Sequence, residues 1–498
     1  MKKQQEIVVF VILTTLLTSI FGSGLIIPTK AQTTTLEMWY MQEDFLDDTM
    51  LDLIDQYENS HDVSINLKYV PYDTMRLDFK TAYVLGEAPD LIQGDSEWIP
   101  DFAHRNYISP LSVDELQYEY ISQALRAVSY FFVDDGEYNT QLLTYYGIPQ
   151  FVDVMAFIYN KDEMRTATIP TVDGSWTVDD FKQAITRMND QSLPNDKQFG
   201  FSFLNFLDTE FALFFGAGGI LFANDTVDAK NNQILEDYSV NALKFIYDMV
   251  NYYELTPSYK SGYYVNVDNS LKMDKIYDDF AVNGNVSSTM LYAQNMKKLL
   301  SSGIFTDISK LGIAPTPRNT ADNAPYLSVT ALMLSNSTTH REEALNLANY
   351  LCSPDAMKEY ATNEYLLPAI DSVYSDTALA GNTIIQSYKP FVDTAQGIPI
   401  SRFWNVFVKD IFDGEVTSMI RGAQNASTCA VSLQIRLDYQ ILNQADHPSI
   451  HQDVSNFKYY GEEESAGGIP FGSPQILGIF SLLGIGLILL LNKKNRRE

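Results

Sequence analysis

The segment "PDLIQGDSEWIP" (residues 89–100) contains a short, mainly apolar run. Two carboxylates and a tryptophan come after that run, at Asp95, Glu97 and Trp98. Carboxylates accept hydrogen bonds from hydroxyl groups, and an indole face packs against an apolar surface. This combination suits a ligand that presents both hydroxyls and an apolar face. A structural turn with solvated acids is the alternative interpretation.

The elements before this segment explain how these side chains would be positioned. "TTLEMWYM" and "VSINLKYVPY" are typical of strands, "FLDDTMLDLIDQYENS" of an amphipathic helix, and "TMRLDFKTAYVLG" of a second helix that stops at Gly86. "DLIQ" then reads as a third strand. This order predicts an α/β fold with a parallel sheet, in which ligands bind at the carboxyl ends of the strands.

A second set of elements begins after "YYGIPQFVDVMAFIYNKDEM". Thr177 is placed as the N-cap of a helix with an acidic first turn. Further strands are predicted in "VSSTMLYA", "LGIAPTP" and "YLSVTALMLS", and the chain is mostly helical from Arg341. A linker rich in Gly, Pro and acidic residues follows at 461–473.

Composition limits the class of protein. The chain has 498 residues, of which 46% are hydrophobic and 13% aromatic, enough for two or three domains with a large core. Its net charge of −29 argues against nucleic acid, whose phosphates require a basic face. The two cysteines, Cys352 and Cys429, are too few for a disulfide framework, and a single bridge between them stays open.

Both ends carry membrane signals. Residues 1–31 have a basic start, an apolar run and a small residue at the end, which predicts a cleaved signal peptide, with an uncleaved anchor as the alternative. Residues 474–491 are apolar and uncharged, which predicts a transmembrane helix, and the basic tail 492–498 would be cytoplasmic. The body of the chain is therefore expected outside the cell, anchored by its C-terminus.

Nothing in the sequence indicates catalysis. The five histidines are dispersed, apart from a pair in "HPSIH", and there is no nucleophile elbow or phosphate-binding glycine loop. A glycosidase would need two carboxyl groups about 5 to 9 Å apart, a distance that sequence cannot supply. We therefore expect no enzyme activity, no cofactor and no metal.

An ordered series of segments resembles a known family. The segments include "LEMWY", "GEAPDLIQGDSEW", "YGIPQFVDVMAFIYNKDEM", "SWTVDDFKQA", "LGIAPTP" and "EEALNLANYLCSPDAMKEYATNEYLLPA". Together they are similar to the extracellular solute-binding proteins of ABC importers, in the family that includes maltose-binding protein. The resemblance extends from about Leu36 to Leu442.

The resemblance implies an α/β, two-lobed periplasmic-binding-protein-like fold with a hinge, whose lobes close on a ligand in the cleft. It assigns 32–148 and 312–338 to lobe 1, and 149–311 and 339–460 to lobe 2. The chain would cross between the lobes near 149, 312 and 338.

The resemblance also implies a set of ligand-binding residues. Sugars have apolar C–H faces and a rim of hydroxyls, which aromatic rings and carboxylates can recognise. Trp404 stands where maltose binders carry a stacking tryptophan, with helix packing as its alternative. The candidates are Tyr40, Gln42, Asp95, Glu97, Trp98, Asp153, Asn205, Asp208, Tyr292, Gln294 and Trp404.

The function expected from the sequence is that of a tethered, non-enzymatic binder of a carbohydrate, either an oligosaccharide or a polyol, which delivers it to the permease of an ABC transporter. Two alternatives remain open at this stage. One is a surface sensor or adhesin ectodomain that keeps the binding fold, and the other is a binder of a non-sugar solute such as a peptide.

Overall fold

The computed structural model describes most of the chain between residues 34 and 443. The described residues are 34–42, 47–130, 133–134, 137–138, 144–170, 172, 176–189, 198–203, 206–221, 233–257, 273–320, 323, 325–397, 404, 407 and 411–443. The predicted signal peptide, linker, membrane helix and tail lie outside these residues. Within them, no helix combines the length and the apolar character needed to cross a bilayer.

The first part of the chain folds as successive strand–helix–strand units. The elements are β1 (Thr34–Gln42), α1 (Asp47–Ser60), β2 (Val63–Pro71), α2 (Tyr72–Leu85) and β3 (Leu91–Asp95). Strand β1 pairs in parallel with both β2 and β3. Helix α2 ends at Gly86, whose φ of 74° is a left-handed conformation that suits glycine. The parallel pairing of these three strands and the helix stop that the sequence predicts are thus confirmed.

These strands belong to a larger, seven-stranded sheet. Its other members are β8 (Ile148–Val154), β12 (Tyr326–Leu334), β13 (Leu367–Pro368) and β14 (Gln396–Gly397). The strand order is β13-β8-β12-β3-β1-β2, with β14 paired to β12. Strand β12 is antiparallel to β3 and β8. Two ribbons accompany the sheet, formed by β4 (Ser129–Tyr130) with β7 (Thr144–Tyr145) and by β5 (Val133–Asp134) with β6 (Glu137–Tyr138).

A smaller sheet of three strands forms the centre of the second lobe. Strand β9 (Ala156–Asn160) lies between β10 (Ser288–Leu291) and β11 (Leu311–Pro315), antiparallel to both. The chain passes from the larger to the smaller sheet at Met155, and returns between Pro315 and Tyr326. We call the elements on the larger sheet lobe 1 and those on the smaller sheet lobe 2.

The remaining helices divide between the lobes. Their bounds are α3 (Ile99–His104), α4 (Ser122–Ala127), α5 (Lys161–Thr166), α6 (Val178–Met188), α7 (Phe206–Gly216), α8 (Asp237–Asn251), α9 (Met273–Ala281), α10 (Asn295–Leu300), α11 (Arg341–Leu351), α12 (Pro354–Glu364), α13 (Thr383–Thr394), α14 (Asp413–Ile420) and α15 (Ala426–Asn443). Helices α14 and α15 pack on α7 and α8 of lobe 2.

The packing of the C-terminal helices differs from the expected division of lobes. Helices α11 and α12 contact β12, β13 and α1 of lobe 1, and α13 contacts β8. Helix α13 also contacts β11 of lobe 2, and the helices after Gly397 pack on lobe 2, whereas the sequence assigned the whole of 339–460 to that lobe. An amphipathic helix shows that one face is buried but not which sheet covers that face, so the pattern alone could not make this assignment.

The two cysteines do not form a disulfide. Both Cys352 and Cys429 are buried free thiols. The Cys352 thiol lies 3.7 Å from the carbonyl oxygen of Ile148, to which it donates a weak hydrogen bond. The bridge that the sequence left open is therefore absent from this structure.

A close approach in lobe 2 provides a test of the packing. A Cβ atom at Gly200 would lie 2.0 Å from the backbone carbonyl oxygen of Ile185 in α6. Gly200→Ala therefore forces backbone movement, and we expect the free energy of unfolding to fall by about 2 kcal/mol, measured by urea denaturation.

The matched control for Gly200→Ala is Gly381→Ala. Gly381 lies in an exposed turn with no atom within 4 Å of the added Cβ. This variant is expected to stay within about 0.5 kcal/mol of the wild type. Equal stability of both variants would show that the α6 contact is looser than the structure indicates.

Candidate functional site

A cleft of about 540 Å³ opens where the two lobes meet. Lobe 1 contributes the ends of β1, β2 and β3 and one face of β12, and lobe 2 contributes α7, the segment after β10, and the start of α14. The lining residues are Met41, Tyr72, Asp73, Asp95, Glu97, Asp153, Leu207, Asp208, Phe211, Tyr292, Gln294, Asn295, Ser328, Thr330 and Asp413.

On the lobe 1 wall, Asp95 is fixed at the carboxyl end of β3. Its Oδ1 accepts hydrogen bonds from the Glu97 backbone N–H at 3.1 Å and from Ser328 Oγ at 3.2 Å. Its Oδ2 accepts a bond from the hydroxyl of Tyr72 at 3.0 Å. All three donors are neutral groups, which orient the carboxylate at the edge of the cleft without adding a positive charge beside it.

Asp153 stands close to the crossing between the lobes, near the end of β8. The Gln294 amide donates a hydrogen bond to its carboxyl group, while Asp153 Oδ1 is buried without a hydrogen-bond partner. Burial raises the pKa of Asp153 to about 7, and the nearby Asp95 and Asp208 carboxylates act in the same direction. This carboxyl group is therefore poised to titrate near neutral pH.

On the lobe 2 wall, α7 presents Asp208 and Phe211 to the cleft, and α14 presents Asp413. Behind them lies Glu210, which is fully buried and accepts a long hydrogen bond from Thr417 Oγ1 at 3.5 Å. Burial, reinforced by Asp413, raises the pKa of Glu210 well above its ordinary value. Glu210 therefore holds its proton more strongly than an exposed glutamate does, and it is packed behind the wall of the cleft.

The pKa values of the two tyrosines that line the described part of the cleft are raised by burial and by the acids around them. Burial raises the pKa of Tyr292 well above its ordinary value, and Asp208, Asp153, Glu97 and Asp95 raise it further. Tyr72 responds in the same way to burial and to three of these acids. Both phenols therefore stay protonated, and carboxylates from both lobes act on the same small volume.

An ion pair joins the lobes beside the cleft. Lys297 of α10 donates to the Glu364 carboxylate at the end of α12 at 2.5 Å. The other oxygen of Glu364 accepts a hydrogen bond from Thr49 in α1 at 3.3 Å. The Glu364 side chain is only 4% exposed, so this contact holds α10 of lobe 2 against lobe 1.

Comparison with known proteins agrees with this two-lobed geometry. Residues 46–358 match the family described as bacterial extracellular solute-binding protein. This chain belongs to that family.

Solved structures similar to this solute-binding protein include the GacH receptor of Streptomyces glaucescens, determined unliganded and with acarbose (21% identity, TM-score 0.68, 83% of this chain and 99% of that one). Another is the sugar-binding protein MalE from Xanthomonas citri (18% identity, TM-score 0.67, 82% of this chain and 97% of that one). A third is an ABC substrate-binding protein from Listeria monocytogenes in complex with cycloalternan (18% identity, TM-score 0.66, 82% of this chain and 99% of that one). These likenesses show the two-lobed fold.

The structure brings six of the eleven sequence-predicted site residues of this solute-binding protein into the cleft. They are Asp95, Glu97, Asp153, Asp208, Tyr292 and Gln294. Asn205 lies outside the described residues, and the side chain of Gln42, at the end of β1, is not described either. Contact of these residues with a ligand stays a prediction.

The three remaining candidates are buried side chains that do not line the cleft. Tyr40 is 5% exposed and packs edge-on against Tyr69 of the neighbouring strand. Trp98 is 1% exposed, because the turn after Asp95 directs its indole back over Gly94. Trp404 is 2% exposed and stacks on Phe211, with ring centroids 6.0 Å apart. In this solute-binding protein Trp404 therefore supports a cleft residue from behind.

The cleft also contains residues that the sequence analysis did not select. Tyr72 and Asp73 follow directly after β2, so the rule that identified Asp95 at a strand end could have found them. Ser328 and Thr330 alternate along β12 with the buried Leu327 and Val329, a period of two that places them on one face. For Asp413 we find no sequence signal.

Proposed function

We propose that this solute-binding protein captures a carbohydrate in the interlobe cleft and delivers it to an ABC transporter without catalysing a reaction. The observation that carries this proposal is the mixed lining of the cleft. Carboxylate and amide oxygens that accept hydrogen bonds lie beside the tyrosine and phenylalanine rings of Tyr72, Tyr292 and Phe211. Hydroxyl-rich rings with apolar faces match such a surface.

The similar structures support the same class of ligand. One was solved with acarbose, one with cycloalternan, and one is described as a sugar-binding protein. Sequence identities of 18–21% leave the identity of the sugar open for this chain. The ligand-binding residues that we propose are Asp95, Glu97, Asp153, Asp208, Tyr292 and Gln294.

We further propose that the body is held outside the cell by residues 474–491, with 461–473 as a linker and 492–498 as a cytoplasmic tail. The uncharged apolar run followed by basic residues supports this arrangement. Anchoring keeps the binding lobes at a high effective concentration near a membrane permease.

Thermal unfolding of the full chain tests the proposal. The protein is kept in a detergent without a sugar headgroup and is mixed with mono- and oligosaccharides, polyols and peptides. A ligand that binds only the folded state raises the melting temperature in proportion to the logarithm of its concentration. We expect at least one saccharide to produce such a rise, and Asp208→Asn to reduce its affinity by at least about tenfold.

The control variant for this experiment is Asp179→Asn, which changes an exposed carboxylate on α6 that does not line the cleft. It should respond to saccharide as the wild type does. A response to peptides and to no saccharide would overturn the carbohydrate proposal and leave the family assignment intact.

A further inference from the structure

The described lining of the cleft is strongly one-sided in charge. It contains six carboxyl groups, on Asp73, Asp95, Glu97, Asp153, Asp208 and Asp413, and no lysine, arginine or histidine. They come from both lobes, so closing the lobes brings like charges together. This arrangement opposes closure, and a ligand that carries positive charge would reduce the repulsion.

The positions of these groups show that the charge acts on one site. Burial raises the pKa of Tyr292, and the carboxyl groups of Asp208, Asp153, Glu97 and Asp95 raise it further. The hydrogen-bond donors to Asp95 are neutral groups, namely the Glu97 backbone N–H and the hydroxyls of Tyr72 and Ser328. These donors orient the Asp95 carboxylate without neutralising it.

An independent observation indicates that hydrogen-bond donors are required from the ligand. The Gln294 side chain lines the cleft and is only 9% exposed, yet its Oε1 has no hydrogen-bond partner. Gln294 donates to Asp153, whose Oδ1 is also buried without a partner. These two buried polar atoms have no hydrogen-bond partner within the protein, and a ligand N–H or O–H group would satisfy them.

We propose that the carbohydrate bound by this protein carries at least one protonated amine, which is held by Asp153, Gln294 and the carboxylates around them. This inference rests on the proposed function and specifies its substrate class as an amino sugar. An ammonium group supplies both positive charge to the acidic cleft and hydrogen-bond donors to Gln294 Oε1 and Asp153 Oδ1.

The spacing of the acids favours such a ligand over a bound metal ion. Within the part of the chain that the structure describes, no three His, Cys, Asp or Glu side chains lie close enough together to hold a metal. Carboxylates that surround a cleft of about 540 Å³ without converging suit a cation attached to a larger molecule.

The test is isothermal titration calorimetry on the full chain, in a detergent without a sugar headgroup. Each saccharide is offered in three matched forms, with a free amine, with that amine N-acetylated, and with a hydroxyl in its place. Glucosamine, N-acetylglucosamine and glucose form one such set, and their β-1,4-linked trimers form another. We expect an amine form to bind at least about tenfold tighter than its two neutral counterparts.

Variants connect the preference to the proposed residues. Asp153→Asn should reduce the preference for the amine form at least about fivefold while changing the affinity for the neutral forms less. Asp179→Asn, the exposed control on α6, should leave the preference unchanged. Raising the salt concentration should weaken binding of the amine form alone, because the interaction is between charges.

The possible results separate this inference from the proposed function. Neutral saccharides that bind as tightly as their amine forms would overturn the amino-sugar inference and support the carbohydrate proposal. Binding of spermidine without binding of any saccharide would overturn both. Binding of Ca²⁺ with no preference among the saccharides would also overturn the amino-sugar inference, since the acids would then hold a metal.

Discussion

Trp98→Ala should lower the free energy of unfolding by about 3–5 kcal/mol, the range expected when a large buried aromatic side chain is removed. The indole is 1% exposed and packs between the rings of Tyr72 and Phe102, with centroid distances of 5.6 and 6.2 Å. The packing extends to Gly94, where a Cβ would lie 2.7 Å from the indole. Urea denaturation of the full chain measures the loss.

The conservative variant Trp98→Phe separates packing from ligand contact. It keeps an aromatic ring in the core and should cost less than the alanine variant, with little effect on saccharide affinity. If Trp98→Ala left stability near that of the wild type and abolished binding, the indole would face the ligand, as the sequence analysis expected.

Several elements of the two lobes were predictable because each of them has a local cause. The alternation in β2, the left-handed stop at Gly86 and the capping box at Thr177 act within a few residues of the chain. At Thr177 the hydroxyl accepts a hydrogen bond from the Asp180 backbone N–H at 3.2 Å. Such local interactions can be recognised in sequence without knowledge of the fold.

The lobe crossings depend on long-range contacts and were harder to place. The apolar run through Met155 belongs to two different sheets, and its composition does not change where β8 ends and β9 begins. The first crossing therefore lies at Met155, whereas the family resemblance predicts it near 149. The later crossings lie between Pro315 and Tyr326 and after Gly397, compared with 312 and 338.

In the site, the positions of polar residues were easier to predict from the sequence than those of aromatic residues. The carboxylate of Asp95 lies at the end of β3 and is hydrogen-bonded there, so its position near the cleft follows from the strand end. An aromatic side chain in such a loop can point either into the core or into the cleft. The turn after Asp95 rotates Trp98 into the core, and three-dimensional packing rather than sequence position determines this direction.

The interlobe contacts suggest how the acidic cleft affects closure. The Lys297–Glu364 pair holds the lobes together at one edge, while the carboxylates of Asp95 and Asp208 oppose each other across the cleft. A ligand that reduces this repulsion favours the closed arrangement because it binds that arrangement more tightly. The charge of the cleft therefore connects ligand chemistry to the motion that the family fold permits.

Asp153→Asn should change the pH dependence of stability more than any other single substitution in the cleft. The folded-state pKa of about 7 exceeds the ordinary value of 3.8, so the folded protein retains a proton that the unfolded chain has lost between these values. Wild-type stability should therefore fall as pH rises from about 4 to about 7, by up to about 4 kcal/mol at about 1.4 kcal/mol per pH unit. The Asn variant lacks this titration, so its stability relative to the wild type should increase over the same range.

Urea denaturation of both proteins at several pH values between 4 and 8, with Asp179→Asn as the exposed control, measures the difference. Parallel profiles for Asp153→Asn and the wild type would show that Asp153 is ionised throughout, and that the cleft is more hydrated than its burial indicates.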